Sequence, residues 1–325
     1  MGMVLGHDLT RIVPGEFKGP AFRKGHVIRP EDVPLLRDMG KEHINVLDLA
    51  ADEVHEDEAG IRLGRAVAGE GITCAPPRES RVNLTAAWNG VLKVDVAALE
   101  AVNDLPDVIL ATYPHNTPVQ EGEAVAGTKV VPLAVREDLL ADAERVAGGG
   151  VVSVRPYRPT EIGLVVTGSE IYHGRVQDRF EPVMADKAAY FGSRLVKTSF
   201  AGDDAALIAA AIRETAEVAG LILVSGGMSV DADDVTPQAI RQSGAVIEKY
   251  GAPVLPGAMF LLAYRGDIPV LGVPASAIYF RTTVLDLVLP RLLTGERLTR
   301  RDINLMGHGG LFRAGDAFPI PNGGE

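Results

Sequence analysis

Between residues 163 and 290, short aliphatic and β-branched runs alternate with amphipathic segments, and this alternation restricts the chain to an open α/β sheet. The apolar runs at 162–166, 195–198, 220–225 and 270–273 have the length and composition of buried parallel strands. Helical patterns fill 181–194, 203–218, 234–243 and 277–293, and Leu207, Ile208, Ala211 and Ile212 mark the apolar face of the second. The order predicts an α/β fold with a doubly wound, mostly parallel sheet. Ligands of such sheets bind beyond the carboxyl ends of the strands. Two Gly-rich turns fall there, Thr167-Gly168-Ser169-Glu170 and Ser225-Gly226-Gly227-Met228-Ser229. Glycine lets backbone approach a ligand closely, and a helix following each turn aims free N–H groups at the same place. Together the turns outline an anion pocket.

The chain has 325 residues, 46% of them hydrophobic, enough for two or three folded domains. Its formal net charge of −11 gives no general attraction to nucleic acid or to an anionic membrane. Any phosphate must therefore be held by local groups. No N-terminal stretch has the pattern of a secretory leader, and no apolar run reaches membrane-spanning length, so the expected location is the cytoplasm. The single cysteine, Cys74, excludes an intrachain disulfide and reads as a small buried residue.

Residues before about 158 have shorter apolar runs and many turns, which predicts a smaller α+β, β-rich region. Within it, 30–39 reads as a short helix, with Pro30 in the first turn and Gly40 as the stop, and 91–102 as a second helix. Ala147-Gly148-Gly149-Gly150, followed by Pro156 and Pro159, reads as a linker. The tail after Gly295 is rich in Gly and turns and is expected to wrap the surface or meet a partner subunit. The expected division is an N-terminal segment at 1–50, an accessory α+β domain at 51–158, a ligand-binding domain at 159–295 and a tail at 296–325.

Asp231, Asp233 and Asp234 lie just after the second turn, at the start of an expected helix. N-capping and dipole compensation explain an isolated acidic helix start. Beside a phosphate-binding turn, however, carboxylates repel the ligand unless a divalent cation lies between, which points to Mg²⁺ held first by Asp234 and then by Asp231 and Asp233. Thr167, Ser169, Ser225 and Ser229 are equally suited to capping a helix and to donating to phosphate. Glu170 suits a helix N-terminus, or the N–H edge of a heterocycle, as an acceptor. Asp178 and Arg179 read as an exposed ion pair, with contact to a phosphate as the alternative for Arg179. Ser276 lies between a strand end and a helix start, where it would face the cleft. No His-x-x-x-His pair, Walker-type loop, dinucleotide fingerprint or nucleophile elbow is present at these turns.

In order, Thr167-Gly168-Ser169-Glu170-Ile171, Ser225-Gly226-Gly227-Met228-Ser229 with Asp234, Leu255-Pro256-Gly257 and Gly272-Val273-Pro274-Ala275-Ser276 resemble the molybdopterin-binding domain. That domain is shared by molybdopterin adenylyltransferases and molybdopterin molybdenumtransferases. The resemblance covers about residues 160–295. It implies a pterin phosphate ligand, molybdopterin or adenylyl-molybdopterin, with Mg²⁺ on the acidic residue matching Asp234. Thr167, Gly168, Ser169, Ser225, Gly226, Gly227, Met228 and Ser229 would bind the cofactor together with Pro274, Ser276 and Glu170. Asp234 and Glu170 would carry any catalysis. Lys24-Gly25-His26-Val27-Ile28 with Asp32, Leu35 and Gly40 is similar to a stretch preceding that domain in the longer molybdenumtransferases. The resemblance further implies a homodimer.

Departures from the family pattern bear on the reaction. Ser169 stands where active molybdenumtransferases carry Asp, and Ala258-Met259 where they carry a Lys. Val273-Pro274-Ala275-Ser276-Ala277 replaces a Leu-Pro-Gly-Asn-Pro turn. These changes remove a carboxylate, a cation and a flexible turn, so ligand binding is better supported than molybdate insertion. The expected function is molybdopterin binding in molybdenum cofactor biosynthesis, as a transferase or as a non-catalytic carrier or sensor that hands cofactor to a recipient molybdoenzyme. Pyrophosphate or nucleotide-sugar chemistry in the same fold is the third reading.

Overall fold

A computed structural model describes residues 5–6, 8–13, 17–23, 26–44, 49–228 and 235–312. The chain divides into two units. The first holds residues 1–87, 92–115 and 121–154, and the second holds 155–325 with the short segments 88–91 and 116–120.

The first unit is β-rich. Strands Ile72–Cys74, Val82–Ala86, Ala124–Val130 and Val108–Thr112 form an antiparallel sheet in that order. Helices Glu56–Val67 and Glu137–Ala147 lie side by side and are tied by Arg62, which pairs with Glu144 at 2.8 Å and Glu137 at 2.9 Å. A separate hairpin pairs Leu9–Val13 with Phe17–Phe22. Pro30–Met39 forms a helical stretch as expected, a 3₁₀ turn at Pro30–Asp32 leading into an α-helix at Val33–Asp38. The stretch expected to be helical at 91–102 is split instead. Gly90–Val94 is a strand and Val96–Asn103 a helix capped by Asp95, whose carboxylate accepts from Ala98 N–H. The β-branched Val91 and Val94 favour the strand, and an aspartate N-cap fixes where the helix begins. The expected linker is also structured. Gly148 ends a helix in the left-handed region, and Val152–Pro156 is a strand. Cys74 is half-buried rather than fully enclosed, and that burial pushes its thiol pKa up.

The second unit is the α/β domain. Its strands are β1 (Glu161–Thr167), β2 (Arg194–Ala201), β3 (Leu221–Ser225), β4 (Val246–Tyr250), β5 (Leu261–Arg265) and β6 (Ile268–Val273). Its helices are α1 (Ser169–Tyr172), α2 (Phe180–Tyr190), α3 (Ala205–Thr215), α4 (Thr236–Gln242), α5 (Val284–Leu293) and α6 (Arg300–Leu305). The sheet order is β2-β1-β3-β6-β5-β4. The four runs expected to be parallel core strands are β2, β1, β3 and β6, and they pair in parallel. An antiparallel hairpin, β5 and β4, extends the sheet beyond β6.

Both faces of this sheet are buried, as a parallel sheet with helices on either side requires. Successive residues of β3 go to opposite faces. Leu221 and Leu223 join Phe180, Met184, Phe191, Leu285 and Val288 on the side of α2 and α5. Ile222 and Val224 join Ile208, Ile212 and Ile240 on the side of α3 and α4. The segment expected as one helix at 277–293 is a 3₁₀ turn at Ala275–Ile278 followed by α5, because Thr283 and Asp286 form a capping box that starts a new helix. The tail after Gly295 includes α6, started by a second capping box from Thr299 and Asp302. No helix of the described residues is long and apolar enough to cross a membrane.

Gly163 lets β1 pack tightly against the end of α3. A Cβ built there would lie 2.0 Å from Thr215 Cγ2 and 3.1 Å from Ala219 Cβ. Gly163→Ala is expected to cost about 1–3 kcal/mol through overpacking. Urea unfolding of the two proteins, with an unchanged m-value, checks this.

Candidate functional site

The chain runs from β1 outward to β2 and then crosses back to β3 on the other side of β1, so the topological switch lies between β1 and β3. Open α/β sheets bind ligands in the crevice at the carboxyl end of such a switch. Here the two strand ends are joined directly. Thr167 Oγ1, buried at the end of β1, donates to the carbonyl of Ser225 at the end of β3 at 2.7 Å. Thr236 Oγ1, at the start of α4, donates to the carbonyl of Gly226 at 2.9 Å. Gly226 has a φ of +85°, and a Cβ there would lie 2.5 Å from Thr167 O and 2.6 Å from Thr167 Oγ1. Only glycine fits both the backbone conformation and the space.

A cavity of about 360 Å³ opens beside this junction. It is lined by Gly226, Gly227 and Met228 after β3, by Gly257, Ala258 and Met259 before β5, and by Pro274, Ala275 and Ser276 after β6. The described lining has no charged side chain. Ser276 Oγ is buried with no hydrogen-bond partner among the described residues, and so is Ser225 Oγ. An unpaired buried hydroxyl costs free energy, and a ligand group that pairs with it recovers that cost. The wall thus combines close backbone approach at two glycines, apolar surface from Met259, Ala258 and Pro274, and an unused hydroxyl.

The sequence-derived residues are distributed unevenly about this cavity. Gly226, Gly227, Met228, Pro274 and Ser276 line it. Met228 does so while its side chain is buried against Gly272, where a Cβ would lie 2.8 Å from the Met228 sulfur. Thr167 and Ser225 brace the junction. Gly168, Ser169 and Glu170 are not in the lining. The Ser169 backbone N–H donates to Asp203 Oδ2 at 2.9 Å, so a carboxylate of the β2–α3 loop already occupies the amide expected to meet a phosphate. The Glu170 carboxylate lies over Gly168, with Oε1 3.1 Å from the place of a Cβ there. Asp178 accepts from the backbone N–H groups of Phe180 and Glu181, both at 2.9 Å, and so caps α2 instead of pairing with Arg179. Ser229, Asp231, Asp233 and Asp234 lie outside the described residues, as do Lys24 and Gly25.

The expected Mg²⁺ centre is not supported. Among the described residues no group of three or more His, Cys, Asp or Glu side chains is placed to hold a metal ion. A divalent cation needs several oxygen ligands converging within about 2.0–2.6 Å, and an acidic run in sequence does not by itself supply that convergence.

Sequence reasoning missed the support behind the cavity. Lys187 of α2 and Asp286 of α5 form a buried ion pair. The second Asp286 oxygen accepts from Thr283 N–H at 2.8 Å and Thr283 Oγ1 at 3.2 Å. This fixes the first turn of α5, where a Cβ on Gly257 would lie 2.9 Å from Val284 Cγ1. The only sequence signal was the Thr283-x-x-Asp286 spacing; its Lys187 partner lies 99 residues away.

Residues 163–294 match the family described as "Probable molybdopterin binding domain". This segment is a divergent relative of the molybdopterin-binding fold family. Residues 1–48 match a family described only as a domain of unknown function. Proteins named CinA-like from Mycobacterium leprae and Mycobacterium tuberculosis are 43% and 42% identical over 81 residues, which is 25% of this chain. The chain spans 19% of the length of these curated relatives. Among solved structures, CinA from Thermoplasma acidophilum is 17% identical with a TM-score of 0.34 over 37% of this chain and 92% of that one. The molybdopterin biosynthesis enzyme MoaB from Thermus thermophilus is 20% identical with a TM-score of 0.35 over 42% and 98%. A molybdopterin biosynthesis MoeA protein from Pyrococcus is 15% identical with a TM-score of 0.36 over 75% and 74%.

In this molybdopterin-binding-type domain the buried pair sets a stability expectation. Asp286→Ala leaves Lys187 buried and unpaired and is expected to cost about 3–5 kcal/mol, whereas Lys187→Met with Asp286→Leu costs much less. Chemical denaturation of the single and double variants checks the difference.

Proposed function

We propose that this chain binds a phosphate-bearing pterin, molybdopterin or adenylyl-molybdopterin, at the switch-point cavity, and acts in molybdenum cofactor biosynthesis. The observation that carries this reading is the Ser276 hydroxyl, unpartnered among the described residues, in a cavity whose described lining also holds the Gly226-Gly227 turn and no charged side chain. A phosphate is held there by N–H and O–H donors rather than by a cation, and the flat pterin lies against Met259, Ala258 and Pro274. Membership of residues 163–294 in the matched family supports the ligand class.

The carrier or sensor reading is favoured within this proposal over molybdenum insertion. The described lining offers no carboxylate or ammonium to the reacting centre, and Ser169 stands at the position of the expected carboxylate. A neutral pocket that holds a labile cofactor away from water, and releases it to a molybdoenzyme, needs no such group. The homodimer implied by the resemblance belongs to the same proposal.

Calorimetric titration with molybdopterin and its adenylylated form tests the reading. The wild-type protein is expected to bind at least one of them. Ser276→Ala should weaken binding about tenfold, the loss of one charge-assisted hydrogen bond. Gly226→Ala should abolish binding, because its Cβ meets Thr167. No binding to either ligand by folded wild-type protein contradicts the proposal. Molybdate insertion by the bound complex would make the chain a transferase instead of a carrier.

A further inference from the structure

The second unit has another cavity of about 360 Å³ at the opposite, amino-terminal end of the same sheet. Its wall is built from Thr160 before β1, Gly220 and Leu221 at the start of β3, the β5–β6 turn with Asp267, and the end of α5 with Gly295 and Arg297. Neither the strand-end turns nor the matched ligand class accounts for it.

Two arginines enter this cavity, and their surroundings differ. Arg297 lies over the ring of Tyr264, with Cζ 3.9 Å from the ring centroid, and pairs with Asp267 at 3.5 Å. Asp267 is fully exposed, so this pair is screened and weak. The Tyr264 ring is fixed, because its hydroxyl donates to Leu298 O at 3.0 Å and accepts from Leu298 N–H at 2.9 Å. The Arg158 guanidinium packs on Gly295, with Nη1 2.6 Å and Cζ 3.0 Å from the place of a Cβ there. A side chain at 295 would displace it. No carboxylate among the described residues pairs with Arg158. Glu296, the other acid in the wall, is engaged by Arg291 at 2.6 Å.

The negative end of α5 does not cancel these charges. Its last carbonyls are already capped. Arg158 N–H donates to Leu293 O at 2.7 Å, Gly295 N–H to Leu292 O at 2.9 Å, and both the N–H and the hydroxyl of Thr294 to Arg291 O. The Arg158 backbone thus does the capping and leaves its side chain for another partner. Two arginines in one cavity wall, one with no carboxylate partner among the described residues and the other weakly paired, give a local positive charge in a chain of net charge −11.

We propose that this cavity is a second ligand site, taking a small phosphate-type oxyanion between the guanidinium groups of Arg158 and Arg297. Arg158 supplies paired N–H donors and Arg297 supplies charge over the fixed Tyr264 ring. The phosphate is inorganic or the terminal group of a metabolite of a size that fits the cavity. This site stands apart from the switch-point reading and does not rest on it.

Amide NMR of the full chain titrated with inorganic phosphate, against chloride at matched ionic strength, tests the proposal. Glycine resonances separate the two ends of the sheet: Gly220 and Gly295 report this cavity, and Gly226 and Gly227 the other. The expected result is saturable movement of Gly220 and Gly295 with phosphate but not with chloride. Arg158→Gln and Arg297→Gln should each weaken it about tenfold, with Arg158→Lys retaining part. Both arginines are exposed enough for the variants to fold, and Gly226 and Gly227 shifts matching wild-type check that. Unmoved Gly220 and Gly295, equal movement with chloride, or wild-type phosphate affinity in both glutamine variants overturns the proposal. An Arg158→Gln protein that loses thermal stability while keeping its phosphate response identifies Arg158 as packing alone and also overturns it.

Discussion

The geometry of the α/β unit turns on one short hydrogen bond, from the Thr167 hydroxyl to the Ser225 carbonyl. It joins the ends of two parallel strands at the point where the chain reverses its direction across the sheet. The hydroxyl stands where a side chain on residue 226 would go, so Gly226 is required and its backbone turns with positive φ. Thr236 then binds the Gly226 carbonyl and sets where α4 begins. Thr167 is buried, and its oxygen shapes the turn. Replacing it with Val keeps the volume and leaves a buried carbonyl without that donor.

The cavity beside this junction is assembled from three turns that share no local sequence relation. The β3 turn supplies Gly226, Gly227 and Met228, the turn before β5 supplies Ala258 and Met259, and the turn after β6 supplies Ser276. Their mutual placement depends on packing behind them. Asp286 serves one buried lysine and one helix cap at once, and the first turn of α5 closes against Gly257. Such a pair adds little net stability compared with apolar side chains, yet it fixes one arrangement because neither charge tolerates losing the other. Ser276 Oγ is one of the few buried side-chain groups without a partner among the described residues, and its residue lies in the cavity wall.

Much of this was legible in the sequence. The parallel strands carry continuous aliphatic runs, and positive-φ glycines, Gly168 and Gly226, directly follow β1 and β3, so β1, β3 and β6 and the second Gly turn were visible from local pattern. What escaped was set by distant residues. Asp203 takes the Ser169 amide from a loop after the next strand, which turns the expected phosphate ligand of the first turn into a braced loop. Lys187 and Asp286 meet across the fold with no periodic signal. The helix expected at 277–293 broke at Thr283 because a capping box competes successfully with continued apolar periodicity. The magnesium expectation failed for a related reason. Adjacent carboxylates in sequence suggest charge, but a metal centre needs ligands converging in space, and none is found among the described residues.

A crystal structure of the protein grown with molybdopterin tests the central claim most directly. The account predicts density in the switch-point cavity, with the phosphate within hydrogen-bond distance of the Gly226 and Gly227 amides and the Ser276 hydroxyl. An occupied cavity in which Ser276 stays unpaired, or a ligand bound elsewhere with this cavity empty, would contradict it.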